Sequence, residues 1–312
     1  MWRAGAAVLG AIRGFVQASD STVYVLDRSW YKIVAFQPDG QLKDVILGGY
    51  GEGPGEMRLP VHIGLMDNGD LVVLDYELQR LSFFRPNGGF LAMARIDVPG
   101  PMRLLPAGTE IWVTRALTPG SESPRAIAVD RGGRHVREAP PLSESEIPFG
   151  SPVNLALTSD GGLILPHMGP GLWDVWRDDE ISVRGVYLFP GLAPPLVTTE
   201  GRVTSIGSPE AWTVAVASLA DGRVLLWYNT ASLDAEGFPI RESVEHSFVL
   251  FDSGGRRLGA VAIPPDIAPF GWSLYVSPVT GHLLIASNEP YPSVLELRLD
   301  EVSRSSASKY GA

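Results

Sequence analysis

Short apolar runs of strand length alternate along the chain with turns that contain Gly, Asp and Pro. Two stretches, Ser19–Gly40 and Asp67–Gly88, are near copies that start 48 residues apart. The residues that they share include Leu26/Leu74, Asp27/Asp75, Phe36/Phe84, Pro38/Pro86 and Gly40/Gly88. A repeat of about 40–50 residues built from short strands is typical of radial β-propellers. The pattern therefore predicts a repeat protein.

Each copy carries the signals of a β-hairpin. In the first copy, Thr22–Asp27 and Lys32–Gln37 are rich in β-branched and aromatic residues, and Gln37–Gly40 reads as a tight turn. Flanking runs add one strand before and one after each hairpin: Ile12–Ala18 and Gln41–Leu47 in the first copy, Val61–Met66 and Phe90–Asp97 in the second. Four strands per unit predict a propeller blade.

Four weaker units follow the two clear ones. They cover Met102–Pro140, Val153–Pro190, Trp212–Pro264 and Trp272–Leu299. Continuous apolar runs such as Leu71–Leu74 and Val224–Trp227 suit strands covered on both faces. The last unit lacks an outermost strand, and the N-terminal run Ala6–Ile12 could supply it and close the ring. We expect an all-β fold, a six-bladed β-propeller of four-stranded antiparallel blades.

The domain organisation follows from this count. We expect residues 1–302 to form a single propeller and the polar segment 303–312 to be a disordered tail. Insertions at Thr118–Ser123, Gly191–Glu210 and Asn229–Glu245 are predicted surface loops. No segment shows a sustained helical period, so helix is expected to be minor.

Composition narrows the function classes. The net charge is −10 and no Lys/Arg cluster exceeds the pair Arg256–Arg257, which argues against nucleic acid. Cysteine is absent, so disulfides and thiolate chemistry are excluded. The N-terminal residues 1–19 resemble a secretory leader that Arg13 interrupts, and no run reaches a membrane span. We expect a monomer, and the cellular compartment stays open.

The motif Gly-x-φ-φ-φ-x-Asp, followed by φ-x-x-Phe-x-Pro-x-Gly, where φ is an apolar residue, resembles the NHL-repeat and TolB-like six-bladed propellers that are widespread in bacteria. The connection Gly51-Glu-Gly-Pro-Gly-Glu56 fits that resemblance. The family includes binding and scaffold proteins, lactonases and lyases, and many members are exported or lipid-anchored. The resemblance implies the fold, and periplasmic or exported location as one possibility, but no single reaction.

One column of aligned residues lies at the end of the second strand of each unit. Its occupants are, in order, Asp27, Asp75, Arg115, His167, Tyr228 and Ser287. We expect the two aspartates to accept backbone N–H groups in the following turn. His167 is expected to be satisfied by nearby loop carbonyls, with a catalytic role as the alternative.

A second column lies at the start of the inner strands. His62, Arg103 and Asn154 occupy it in three units, and Trp212 and Trp272 stand in matching places. Inner strands begin beside the axis of a propeller, so these residues are predicted to line a central funnel. Polar groups beside aromatic rings are the usual make-up of a small-molecule pocket. The alternative is that they only hydrate the channel.

Other chemistry has weaker support. The segment Gly48–Glu56 lacks the Gly-Lys-Ser/Thr ending of a phosphate loop, so we expect a structural turn with Glu52 and Glu56 at its rim. The five histidines have no zinc-binding spacing, and no serine-hydrolase elbow is present. Propeller lactonases use a Glu, Asn and Asp set for Ca²⁺, and here only Asn154 could serve.

The leading hypothesis is a non-enzymatic binding or scaffold module. Its predicted ligand is a small polar molecule, a peptide or a protein, held at the funnel by His62, Arg103, Asn154, Trp212, Trp272 and His167. No cofactor or metal is expected. The alternative is a metal-dependent lactonase-type hydrolase with a cation, Ca²⁺, in the funnel. A lyase with His167 or Tyr228 as its base is a third possibility.

Overall fold

The computed structural model describes residues 9–46, 48–115, 124–139, 154–166, 172–178, 180–186, 196–197, 203–205, 211–236, 240–262, 274–287 and 292–298. The fold is an all-β, six-bladed β-propeller, and its main sheets are antiparallel four-stranded blades. The one helical element in the described residues is the 3-10 turn Arg241–Ser243. The chain divides into two compact units, described below as unit 1 and unit 2.

Unit 1 holds the first three blades. Blade 1 consists of β1 (Ile12–Gln17), β2 (Val23–Asp27), β3 (Lys32–Phe36) and β4 (Leu42–Ile46). Blade 2 consists of β5 (Pro60–Leu65), β6 (Leu71–Asp75), β7 (Arg80–Phe84) and β8 (Phe90–Arg95). Blade 3 consists of β9 (Pro101–Ala107), β10 (Glu110–Arg115), β11 (Ala126–Val129) and β12 (His135–Glu138). Successive strands pair in sequence order, as predicted.

Unit 2 holds two further blades and a small hairpin. Blade 4 consists of β13 (Ala156–Leu157), β14 (Leu163–Pro166), β15 (Leu172–Arg177) and β16 (Glu180–Val186). The hairpin of β17 (Leu196–Val197) and β18 (Val203–Ser205) lies in the insertion that was predicted to be a loop throughout. Blade 5 consists of β19 (Ala211–Ser218), β20 (Val224–Thr230), β21 (Glu245–Phe251) and β22 (Arg257–Ala262).

The last blade belongs to unit 1. Its described strands are β23 (Leu274–Val276), β24 (Leu283–Ser287) and β25 (Ser293–Leu297), and they form a three-stranded sheet. Ala6–Val8 of the run predicted to complete it lie outside the described residues, as do Thr118–Ser123 and the tail 303–312. Leu9 is buried in the same cluster as Val294 of β25.

Blades of one unit pack face to face, which is why both faces of their inner strands are apolar. In unit 1, one buried cluster joins Leu26 and Ile33 of blade 1 to Val73 and Phe84 of blade 2. Another joins blades 2 and 3, and a third joins blades 1 and 6. A cluster in unit 2 joins blades 4 and 5. Burial of this apolar surface is the main stabilising contribution of the fold.

Turns at the far end of the blades show the repeat most directly. Gly40 and Gly88 have φ values of 85° and 97°, and each N–H donates to the carbonyl three residues earlier. Because only glycine takes this backbone conformation readily, the repeated glycine is a requirement of the turn.

Candidate functional site

The site predicted from the second column begins with a bulge in the inner strands of unit 1. The inner strands of blades 1 and 2 each enter the blade with one residue more than the partner strand: the register shifts between Ile12 and Gly14, and between Pro60 and His62. In blade 3, Arg103 lies opposite Thr114 after the same shift. Bulges re-aim the side chains that follow them. The strand pairing therefore gives His62 and Arg103 equivalent places in adjacent blades.

His62 and Arg103 carry hydrogen-bonding capacity that the described residues do not use. Arg103 is only 6% exposed, and its Nη1 donates to the Met102 carbonyl at 3.1 Å. The Arg103 Nε and the His62 Nδ1 are buried and have no hydrogen-bond partner. Within the described part of the chain, no acidic side chain forms an ion pair with either residue. An unpaired guanidinium in this environment is costly.

Two further arginines bring positive charge to the same place. Burial, and after it the Arg103 guanidinium, lowers the pKa of His62 to about 3. Burial and then Arg13 lower the pKa of Arg103 to about 10. Burial and then Arg28 lower the pKa of Arg13. We call Arg13, Arg28, His62 and Arg103 the basic cluster.

At neutral pH the basic cluster combines two chemical capacities. Arg103 stays a cation, because its pKa of about 10 is well above 7, whereas His62 is a neutral imidazole. A neutral imidazole has one N–H donor and one acceptor, and a guanidinium offers several donors in a planar fork. Such a set suits a carboxylate or phosphate oxygen and disfavours a metal cation.

Arg13, like Arg28, was not among the predicted site residues. Its position inside an apolar N-terminal run was read as an interruption of a leader segment. The sequence signal that could have identified Arg13 is its charge at the start of an inner strand. Arg13 directly precedes Gly14, and Gly14 occupies the same register position in blade 1 as His62 in blade 2.

Asn154 has a different part in the fold. It precedes β13 in unit 2 and is 8% exposed. Its Nδ2 donates to the Val216 carbonyl at 2.9 Å, and its Oδ1 accepts from the Val216 N–H at 2.9 Å. The amide thus imitates a backbone peptide and ties the inner edge of blade 4 to β19. Both of its polar atoms are used within unit 2.

The remaining predicted site residues are described less fully. Trp212 lies in β19, opposite Asn229, and only its backbone is described. His167 and Trp272 lie outside the described residues. Their predicted roles stay predictions.

The first column has the structural role that was predicted for its aspartates. The carboxylate of Asp27 accepts from the N–H groups of Ser29, Trp30 and Gly10 at 2.8, 3.1 and 2.6 Å. Asp75 does the same in blade 2, and both side chains are fully buried. Each aspartate therefore joins its turn to the segment that enters the blade.

The glycine-rich connection between blades 1 and 2 is a structural turn, as predicted. The Arg80 guanidinium donates to the backbone carbonyls of Glu52, Gly53 and Glu56. The Glu56 carboxylate accepts from the Gly53 N–H at 2.7 Å, so it stays within the turn. Glu52 pairs with Arg58 at 2.8 Å.

A separate polar network lies in unit 2. The Asn229 Oδ1 accepts from the Trp227 Nε1 at 3.2 Å and lies 2.7 Å from the His246 Nδ1. Because indole nitrogen can only donate, this Asn229 atom is the oxygen, and the His246 Nδ1 must carry the hydrogen. Burial lowers the pKa of His246. The network orients one histidine but brings no second titratable group to it among the described residues.

The described residues offer little for the metal-dependent alternative. They contain no group of three or more His, Asp or Glu side chains that could hold a metal ion.

The described residues also contain no helix long and apolar enough to cross a membrane. Periplasmic or exported location stays a prediction.

No protein-family model matches the chain, and no curated protein matches it significantly. Several solved structures do match. A member of the DUF4221 family from Bacteroides vulgatus is 12% identical, with a TM-score of 0.66, over 92% of this chain and 93% of that chain. A gluconolactonase from Xanthomonas campestris is 16% identical, with a TM-score of 0.53, over 91% of this chain and 88% of that one. Virginiamycin B lyase from Staphylococcus aureus is 12% identical, with a TM-score of 0.52, over 88% and 91%. At such low sequence identities the structural likeness establishes the six-bladed fold, and it says nothing about the reaction.

Proposed function

We propose that this protein is a non-enzymatic binding module that holds a small anionic group, a carboxylate or phosphate, at the basic cluster of unit 1. The observation that carries the proposal is the pair His62 and Arg103, whose buried Nδ1 and Nε atoms have no hydrogen-bond partner among the described residues. The NHL-repeat or TolB-like subtype remains part of the proposal, because the similar structures support only the six-bladed fold.

The energetics favour an anion as the missing partner. Burying a guanidinium without a counter-charge lowers the free energy of unfolding by roughly several kcal/mol. Neighbouring positive charge increases that loss. A bound oxyanion would accept hydrogen bonds from Arg103 and interact favourably with Arg13. His62 would donate one hydrogen bond as a neutral imidazole. A site built in this way reduces folding stability and gains it back on binding.

The lactonase alternative lacks an observation that favours it. A calcium ion needs several oxygen ligands, whereas the residues at the inner strands of unit 1 are basic. The likeness to a gluconolactonase and to a lyase is a likeness of fold. Of the two residues proposed for a lyase, His167 lies outside the described part of the chain, and Tyr228 lies in β20 of unit 2.

The test combines binding with stability. Thermal shift and calorimetric titration would use acetate, citrate and inorganic phosphate as probes on the wild type and on Arg103→Met, which keeps the side-chain stem. We expect at least a tenfold loss of affinity and no fall in Tm, since an unpaired buried charge is removed. Arg85→Ala, at an exposed turn of blade 2, is the matched control.

Two results would contradict the proposal. One is that no probe anion binds the wild type. The other is that Arg103→Met and His62→Ala bind each probe anion with the affinity of the wild type. A Tm that falls sharply in Arg103→Met would instead assign Arg103 a purely structural role.

A further inference from the structure

The end of unit 1 that carries the basic cluster also carries exposed Trp and Tyr side chains. Trp30 is 59% exposed in the turn between β2 and β3, and Tyr76 is 38% exposed in the turn between β6 and β7. Tyr50, 63% exposed, lies in the connection that leads into β5. In an antiparallel blade, these segments and the starts of the inner strands share one end. Every exposed Trp or Tyr of the described residues therefore lies at that end.

Two of these side chains, Trp30 and Tyr50, lie beside cations. The Tyr50 ring packs edge-to-face against Tyr31 at 5.1 Å, and the Arg58 guanidinium lies 5.9 Å from its centroid. The Lys32 ammonium lies 5.8 Å from the Trp30 ring. Tyr and Trp offer large contact area at low entropy cost and are enriched at interaction surfaces. We call Trp30, Tyr50 and Tyr76 the aromatic rim.

Positive charge leads from the aromatic rim to the buried cluster. Arg28 is exposed in the same turn as Trp30. After the effect of burial, its charge lowers the pKa of Arg13, and the charge of Arg13 lowers the pKa of Arg103. His62 lies two residues into β5, about 7 Å along the strand from Pro60. The carboxylate at the end of a peptide lying across the rim would meet this positive charge.

From this arrangement we propose that the occupant is the C-terminal segment of a polypeptide, with its terminal carboxylate at His62 and Arg103 and its last residues across Trp30 and Tyr50. This proposal rests on the proposed function and names the partner of the same site. The rim draws on two blades and the connection between them, so it is broader than a small anion needs. Capture of a terminal carboxylate by positioned donors is a recurring mode of peptide recognition.

The experiment uses an immobilised random hexapeptide library in two forms, one with free C-terminal carboxylates and one with amidated C-termini, against the full-length chain. We expect retention by the free-carboxylate form only. For a recovered peptide, Trp30→Ala and Tyr50→Ala should each weaken binding about tenfold. Both variants should bind inorganic phosphate and acetate within about twofold of the wild type.

Controls and outcomes separate this proposal from the function on which it rests. Leu42→Ala, at an exposed apolar residue of the outer strand β4, should bind peptide as the wild type does. Equal retention by amidated peptides, or anion binding without any peptide binding, would overturn the C-terminal proposal and leave the anion site standing. Failure of both anions and peptides to bind would overturn both.

Discussion

His62 shows at the scale of one residue what the basic cluster costs the folded protein. Its pKa is about 3 in the folded state, against an ordinary value of about 6.5. Between those two pH values the unfolded chain binds a proton that the folded chain does not bind. The free energy of unfolding contributed by this group therefore falls as the pH drops from about 6.5 towards 3, and levels off below that.

The corresponding prediction compares His62→Asn with the wild type. Between pH 7 and pH 4.5 the wild type should lose about 2 kcal/mol more of its free energy of unfolding than the variant does. Urea denaturation at the two pH values measures the difference. His135→Asn, at an exposed histidine of β12, should follow the wild type. Parallel losses in wild type and His62→Asn would show that His62 is not held neutral.

Residue roles differed in how far the sequence could predict them. The turn role of Asp27 and Asp75 was predictable because some of their partners are the N–H groups of the next turn, two or three residues away, whereas their partners 17 residues away were not predicted. The pairing of Asn154 with Val216 was not, because its partner is 62 residues away in another blade. A sequence pattern predicts local hydrogen bonds far better than it predicts contacts between blades.

At the scale of the element, the close approach of inner strands limits which residues they can contain. A Cβ added to Gly64 in β5 would lie 2.5 Å from Leu104 Cδ1 and 2.7 Å from Pro106 Cγ, both in β9. Val61 of β5 and Leu104 are fully buried in the same cluster. Glycine therefore lets the inner strands of blades 2 and 3 pack closely.

We accordingly predict that Gly64→Ala destabilises the protein by about 1–3 kcal/mol through overpacking. Thermal and urea denaturation would measure it. Gly259→Ala in β22 is the matched control, because a Cβ there meets no atom within 4 Å. That control should be neutral or slightly stabilising. Equal stabilities of Gly64→Ala and the wild type would mean that the two strands separate without cost.

The elements of blades 1 and 2 were predicted to within one or two residues, since the repeat supplies both turn signals and apolar runs. Predicted Lys32–Gln37, for example, corresponds to β3 at Lys32–Phe36. The bulges were not predicted, because the inner strands are buried on both faces and so have no regular alternation of apolar and polar positions that an extra residue would interrupt. The bulges precede His62 and Arg103, so the geometry of the candidate site was the least predictable part of the fold.

At the scale of the whole molecule, one region is basic although the net charge of the protein is negative. The chain has a net charge of −10, yet the inner-strand starts of unit 1 carry the basic cluster. A small basic region on an acidic protein favours anions locally while the rest of the surface disfavours them.

The same charge pattern predicts how the molecule responds to metal and to anions. We expect the purified, dialysed protein to contain no stoichiometric divalent metal, and its Tm to be unchanged by a chelator or by added Ca²⁺. Inorganic phosphate should raise the Tm, and the rise should continue with the logarithm of the phosphate concentration above the Kd, because a ligand that binds only the folded state stabilises it. Elemental analysis and paired melting curves measure all three. Stoichiometric calcium with a Tm lowered by chelator would favour the lactonase alternative, and Arg103→Met would then serve as the control for whether phosphate acts at the basic cluster.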